Sequence, residues 1–218
     1  MPNIQIKICG TTNLADARYC AALGVDYLGF IQYPASPRYV EPALAQEIIE
    51  WVEGPRSVGV FVNEDPDLVN KIASDTEFDL VQLHGDETPD YCSLIEKPVI
   101  KAIRVKASDT VDQIRRVMRD YQSSVSSFLL DSFVDGVPGG TGRVLPWRIA
   151  ATVSQDYPVF LAGGLGPDNV VEAVETVRPV GIDVASGVEE APGRKSFEAI
   201  DRLFAALTSM QNGTGDAA

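Results

Sequence analysis

Histidine occurs once in the 218 residues, cysteine three times, and lysine only at positions 7, 71, 97, 101, 106 and 195. A lone imidazole, His84, cannot build a multi-histidine metal centre, so no metal site is expected. Cys9, Cys20 and Cys92 are odd in number and form no Cys-x-x-Cys pair. They point neither to zinc nor to a secreted disulfide framework. No apolar run reaches the ~18 residues of a membrane span, and the N-terminus lacks the basic-then-apolar order of a signal peptide. The reading is a cytoplasmic protein with no membrane partner. Basic residues are also scarce, 18 Lys+Arg against 31 Asp+Glu, for a net charge of −13. The longest basic cluster, Arg115, Arg116 and Arg119, is too small to hold a phosphate polymer, so nucleic acid is excluded as a partner. A small anion is not excluded, because local backbone dipoles can outweigh the overall field.

What the sequence does contain is alternation. Eight runs rich in Val, Ile, Leu and Phe recur: 4–10, 27–31, 57–62, 80–85, 99–105, 127–132, 159–164 and 181–187. Several are apolar almost throughout, as in strands covered on both faces of a parallel sheet. Helical periodicity with start signals lies between most of them. Asn13 precedes one helix, which ends at Gly24; Pro66 and Pro89 occupy first helical positions; Ser196 opens the last. Strand alternating with helix eight times predicts an α/β fold, a single (β/α)8 TIM barrel of parallel strands. A doubly wound sheet often carries G-x-G-x-x-G after its first strand, and CGTTN here does not match. The barrel is expected to span residues 1–208, with 209–218 a disordered tail.

In such a barrel the polar residues at strand C-termini face the active-site mouth. Cys9, Arg38, His84, Asp131 and Asp183 then become candidates, with His84 and Asp183 as substrate contacts. Gly163 and Gly164 after strand seven, and Ser186 and Gly187 after strand eight, sit where barrels build phosphate sites from backbone N–H groups. The loop GGTG (139–142) is a third flexible element, a lid or a further donor. Cys9 beside Lys7 could titrate near neutral pH as a base, and Asp131 could donate a proton. From spacing alone, Cys9 is equally a small buried hydrophobe and Asp131 a structural acceptor. Arg38 either grips a carboxylate through its planar fork or forms a surface ion pair.

The strings KICG (7–10), SPRYV (36–40), VGVFVN (58–63), VQLHGDE (81–87), LLDS (129–132), GGTG (139–142), LAGGLGPDNV (161–170) and GIDVASGVEEAPGRK (181–195) together resemble the phosphoribosylanthranilate isomerase family over essentially the whole chain. The resemblance implies a TIM barrel of tryptophan biosynthesis that rearranges N-(5'-phosphoribosyl)anthranilate to an aminodeoxyribulose phosphate, without a cofactor. Carried over by position, Cys9 is the general base and Asp131 the general acid. Arg38 holds the anthranilate carboxylate, and the loops at 163–165 and 186–188 hold the phosphate. The partner is thus a small phosphorylated substrate, and the oligomeric state is monomer or homodimer. Ala185 departs from the serine common before SGV, leaving the cradle one hydroxyl short. Other sugar-phosphate barrels fit less well: an epimerase needs several metal-binding histidines, and an indole-glycerol-phosphate synthase needs catalytic Lys and Glu residues at strand ends. A degenerate barrel that only binds a phosphorylated ligand would have lost Cys9 or Asp131, and both are present.

Overall fold

The computed structural model describes residues 4–132 and 147–213. Eight strands alternate with eight helices in chain order. The strands are β1 (Gln5–Cys9), β2 (Tyr27–Ile31), β3 (Arg56–Phe61), β4 (Leu80–Leu83), β5 (Val99–Val105), β6 (Ser127–Ser132), β7 (Val159–Leu161) and β8 (Gly181–Val184). All pair in parallel, and β8 returns to β1 to close the barrel, with Gln5 opposite Gly181 and Lys7 opposite Asp183. The single-barrel expectation holds, and β2, β5 and β6 occupy the expected residues without shift.

The helices start where side-chain caps and prolines allow. Asn13 accepts from the Asp16 amide at 2.9 Å to open α1 (Leu14–Ala22), and Gly24 follows its end at φ +80°, a turn closed to most L-residues. Asp65 caps α3 (Pro66–Asp75), which has Pro66 at its first position. Thr110 and Gln113 form a reciprocal capping box on α5 (Val111–Tyr121). Three features differ from the sequence reading. Helix α2 (Pro42–Glu50) has no side-chain cap, so its start carries no Ser/Thr/Asp/Asn signal. Helix α4 is a single turn, Pro89–Cys92; Pro98 disfavours helical backbone at Lys97, and β5 begins at Val99. After α6 (Trp147–Val153) and α7 (Val170–Val177), the last helix α8 runs from Phe197 to Gly213, so residues 209–213, assigned above to a tail, are helical. The rest of that tail and the GGTG segment lie outside the described residues. Among the described residues, no helix is long and apolar enough to cross a membrane.

Two cores result. The larger fills the space between barrel and helices; the smaller fills the barrel itself with Tyr27, Val58, Val60, Leu80, Ile100, Ala102, Leu129, Phe160 and Ala162. At the N-terminal end of the strands, Tyr27 and Phe160 meet edge to face at 5.6 Å. Gly181 makes this fit possible, since a Cβ there would collide with the Phe160 ring. That end is plugged, and the opposite end is left for polar residues.

One buried ion pair organises the loops at that polar end. Lys101 projects outward from β5 and donates to Glu87 Oε2 at 2.7 Å and to the Gly85 carbonyl at 2.8 Å. Glu87 also accepts from the amides of Asn63 (2.8 Å) and Gly85 (2.9 Å), tying the ends of β3, β4 and β5 together. Burial would raise the Glu87 pKa, but Lys101 and the Asn63 amide hold it below the ordinary carboxylate value. Replacing Lys101 with methionine should strand that charge and destabilise the protein by about 3–5 kcal/mol. Thermal unfolding should show a Tm drop on the order of 10 °C. Because the Glu87 pKa is lower in the folded chain, its contribution is present above the ordinary carboxylate pKa and is lost as pH falls through the depressed value. The gap between wild type and Lys101→Met should therefore narrow below about pH 4. A Tm change under about 2 °C at neutral pH would count against the argument.

Candidate active site

Every candidate named from the sequence lies at the C-terminal end of a strand or in the loop that follows it. Cys9 is the last residue of β1, Asp131 is the penultimate residue of β6 and Asp183 that of β8; His84 follows β4 directly. Cys9 and Asp131 are separated by β7 and β8 one way round the barrel and by β2–β5 the other.

Around Cys9 the surroundings are dry and charged. Lys7, two residues back on the inward face, is fully buried and donates to Asp183 Oδ1 at 2.8 Å across the β1–β8 seam. A Cβ at Gly29 would lie 2.8 Å from Cys9 Sγ and 3.0 Å from Lys7 Nζ, so only glycine on β2 leaves room for both groups. Burial pushes the Cys9 thiol pKa up, and the neighbouring Lys7 ammonium only partly offsets it. This corrects the expectation of a thiol titrating near neutral pH: desolvation at the strand end outweighs the adjacent cation. Burial alone would lower the Lys7 pKa, yet Asp183 and Cys9 hold it above its ordinary value. Asp183, read above as a substrate contact, spends Oδ1 on Lys7 and is itself buried.

Asp131 stands in a different setting. Its side chain is partly open to solvent, with Oδ2 3.3 Å from His84 Nε2. Gln82 Nε2 lies 3.0 Å from His84 Nδ1, so the ring is held between Gln82 on one side and Asp131 on the other. His84 thus sits in hydrogen-bond reach of the Asp131 carboxyl. Arg104, the β5 residue in register with Asp131, donates to the His84 carbonyl at 3.0 Å and steadies the same corner.

Arg38 lies in the loop after β2, its stem against Gly10, where a Cβ would approach the Arg38 Cδ to 2.8 Å. Gly10 at φ +76° thus brings the guanidinium next to the strand end that carries Cys9. One edge of that guanidinium is engaged: Nε and Nη2 both donate to Glu189, the shortest contact 2.7 Å. An ion pair exists, but it is mostly buried rather than a surface pair.

The glycine loops meet as expected. Gly163 and Gly164 take φ +85° and +70°, consecutive left-handed residues that turn their amides to one side. Asn169 locks the loop by donating to the Gly164 carbonyl and accepting from the Gly166 amide, both at 2.9 Å. Gly187 packs so closely on this loop that a Cβ would collide with the Leu165 carbonyl. Among the described residues, nothing accepts from the amides of Gly163, Gly164, Ser186 or Gly187. Four unpartnered amides at one mouth are the kind of arrangement that can receive an anion.

Residues 6–206 match the family model described as N-(5'phosphoribosyl)anthranilate (PRA) isomerase. The chain belongs to this family. The N-(5'-phosphoribosyl)anthranilate isomerase of Geobacter sulfurreducens is 47% identical over 193 residues, covering 88% of this chain and 92% of that protein. The crystal structure of phosphoribosyl anthranilate isomerase from Thermotoga maritima superposes with a TM-score of 0.86 at 36% identity, covering 95% of this chain and all of the other. A second isomerase structure, in complex with reduced 1-(o-carboxyphenylamino)-1-deoxyribulose 5-phosphate, gives a TM-score of 0.82 at 34% identity over 95% of this chain and all of that one.

In this isomerase, the residues that sequence reasoning missed are those paired with the candidates. Gly29, Gln82, Glu189 and Lys195 touch Cys9, His84, Arg38 or the Cys9 backbone. A strand glycine facing the barrel interior was the one available hint.

Proposed function

We propose that this isomerase converts N-(5'-phosphoribosyl)anthranilate to 1-(2-carboxyphenylamino)-1-deoxyribulose 5-phosphate, with Asp131 as general acid and Cys9 as general base. The observation that carries this reading is the separation of a solvent-touching carboxyl from a buried thiol at one barrel mouth, beside an amide cradle for phosphate. Asp131 gives its proton to the furanose ring oxygen; the C1'–O bond breaks, and the nitrogen lone pair forms the C=N bond. The Cys9 thiolate, formed next to the Lys7 ammonium, then takes the C2' proton. That electron pair becomes the C1'=C2' bond while the C=N π pair returns to nitrogen, giving an enolamine that tautomerises to the ketone. Gly163, Gly164, Ser186 and Gly187 hold the phosphate, and Arg38 holds the anthranilate carboxylate. Fixing both ends of the substrate keeps C2' and the ring oxygen in reach of base and acid. His84 and Asp183 serve through Asp131 and Lys7. The chemistry needs no cofactor and belongs to the cytoplasm.

The test follows anthranilate fluorescence on addition of freshly generated phosphoribosylanthranilate. Consumption is expected with chelator present; folded protein that leaves the substrate untouched would overturn the reading. For Arg38→Ala we expect KM to rise roughly 10- to 100-fold with kcat nearly kept, the loss of one charge-assisted bidentate contact. An unchanged KM would remove the carboxylate from Arg38.

A further inference from the structure

Beyond β8 the chain makes a 3-10 turn (Ser186–Val188) and then a two-stranded hairpin, β9 (Glu189–Ala191) with β10 (Arg194–Lys195). This hairpin folds back over the start of the barrel. The Thr12 hydroxyl donates to the Gly193 carbonyl, and the Lys195 amide donates to Asp16 Oδ2 at 2.9 Å, on the first turn of α1. Two charged side chains leave the hairpin toward the site. Lys195 is fully buried; its Nζ donates to the Cys9 carbonyl at 2.5 Å and to Glu189 Oε1 at 2.9 Å. Glu189, only 4% exposed at its side chain, accepts from Lys195 on one side and from Arg38 on the other. A continuous chain of contacts therefore runs from the guanidinium through Glu189 and Lys195 to the backbone of Cys9.

The geometry points to Glu189 as a positioning residue that selects which edge of Arg38 meets the substrate, with Lys195 tying that edge to Cys9. A guanidinium offers five donors in a fixed plane and can bind a carboxylate side-on through Nε and Nη2 or end-on through its two terminal nitrogens. Glu189 fills the side-on edge, through Nε at 2.9–3.0 Å and Nη2 at 2.7 Å. The end-on edge is what remains for a ligand. Without Glu189 the two edges compete, and Arg38 and Lys195 face each other as like charges across an empty space. Arg38, Lys195 and Glu189 sum to a single positive charge, enough for one carboxylate and no more. The inference rests on Arg38 being the carboxylate grip.

A double-mutant cycle on the full-length enzyme tests it, with Glu189→Gln, Arg38→Ala and the pair assayed for kcat and KM. We expect Glu189→Gln to raise KM about tenfold and to change kcat less than threefold. In the Arg38→Ala background the same change should move KM less than twofold, because its effect passes through Arg38. Inhibition by reduced 1-(o-carboxyphenylamino)-1-deoxyribulose 5-phosphate should weaken in Glu189→Gln, while inhibition by inorganic phosphate, which never reaches Arg38, should not. If Glu189→Gln fails to fold, Glu189→Asp enters the cycle instead, keeping the charge but withdrawing the carboxylate by one methylene. Equal KM factors in both backgrounds, or equal weakening of both inhibitors, would overturn the proposal. Should Arg38→Ala leave KM unchanged, the carboxylate grip itself falls; a raised KM with additive factors removes only the role of Glu189.

Discussion

Serine in place of Cys9 is expected to lower kcat by about 10²- to 10⁴-fold, the range a positioned general base contributes. The hydroxyl is nearly isosteric, so the contacts around Gly29 and Lys7 survive and the melting temperature should stay within a few degrees. What is lost is ionisation. A thiol can release its proton beside the buried Lys7 ammonium, whereas a serine hydroxyl cannot do so in the accessible pH range. The same setting fixes the sign of the pH dependence. Burial raises the Cys9 pKa, so the reactive thiolate is a minor species at neutral pH and kcat/KM should climb through the alkaline range. Steady-state kinetics from about pH 6 to pH 10 would show this limb in the wild type and its absence in Cys9→Ser. Wild-type rates in Cys9→Ser, or a plateau already reached below pH 7, would remove Cys9 as the base.

The second large effect is expected at Asp131. Asparagine preserves shape, and its oxygen can still accept from His84 Nε2 across the 3.3 Å contact, but it has no acid proton. Ring opening then lacks its proton donor, and kcat should fall about 10²- to 10⁴-fold with KM little changed. The two losses should also be separable. A substrate analogue that is already ring-opened bypasses the acid step, so Asp131→Asn should process it far better than Cys9→Ser does. Equal loss in both variants on such an analogue would show that Asp131 does more than open the ring.

How much of this was legible before any coordinates depends on distance along the chain. The barrel strands were readable because each is a short apolar run needing no partner to be recognised, and β2, β5 and β6 lie where the pattern put them. The helix starts at Asn13, Pro66 and Pro89 were local signals of three residues or fewer. Helix α2 has no side-chain cap, and Pro42 at its first position did not mark it by itself. The candidate site residues stood out because chemistry-bearing side chains at strand ends are few. Their partners did not: nothing near Lys101 in sequence says that Glu87 will neutralise it, and nothing near Arg38 announces Glu189, 151 residues away. The thiol's raised pKa was misjudged for the same kind of reason. Adjacency to Lys7 is visible in the sequence, whereas the desolvation that outweighs it is a property of the closed barrel.

The seam between the first and last strands carries a consequence for how the enzyme is made. Lys7 meets Asp183 across 176 positions, and the carbonyl of Cys9 meets Lys195 across 186. The proposed base is therefore synthesised long before the charges that support it. A nascent chain still threading the ribosome, or one cut short before the hairpin, carries the thiol without the groups that hold it. A chain that stops short of the hairpin is therefore expected to be silent rather than partly active.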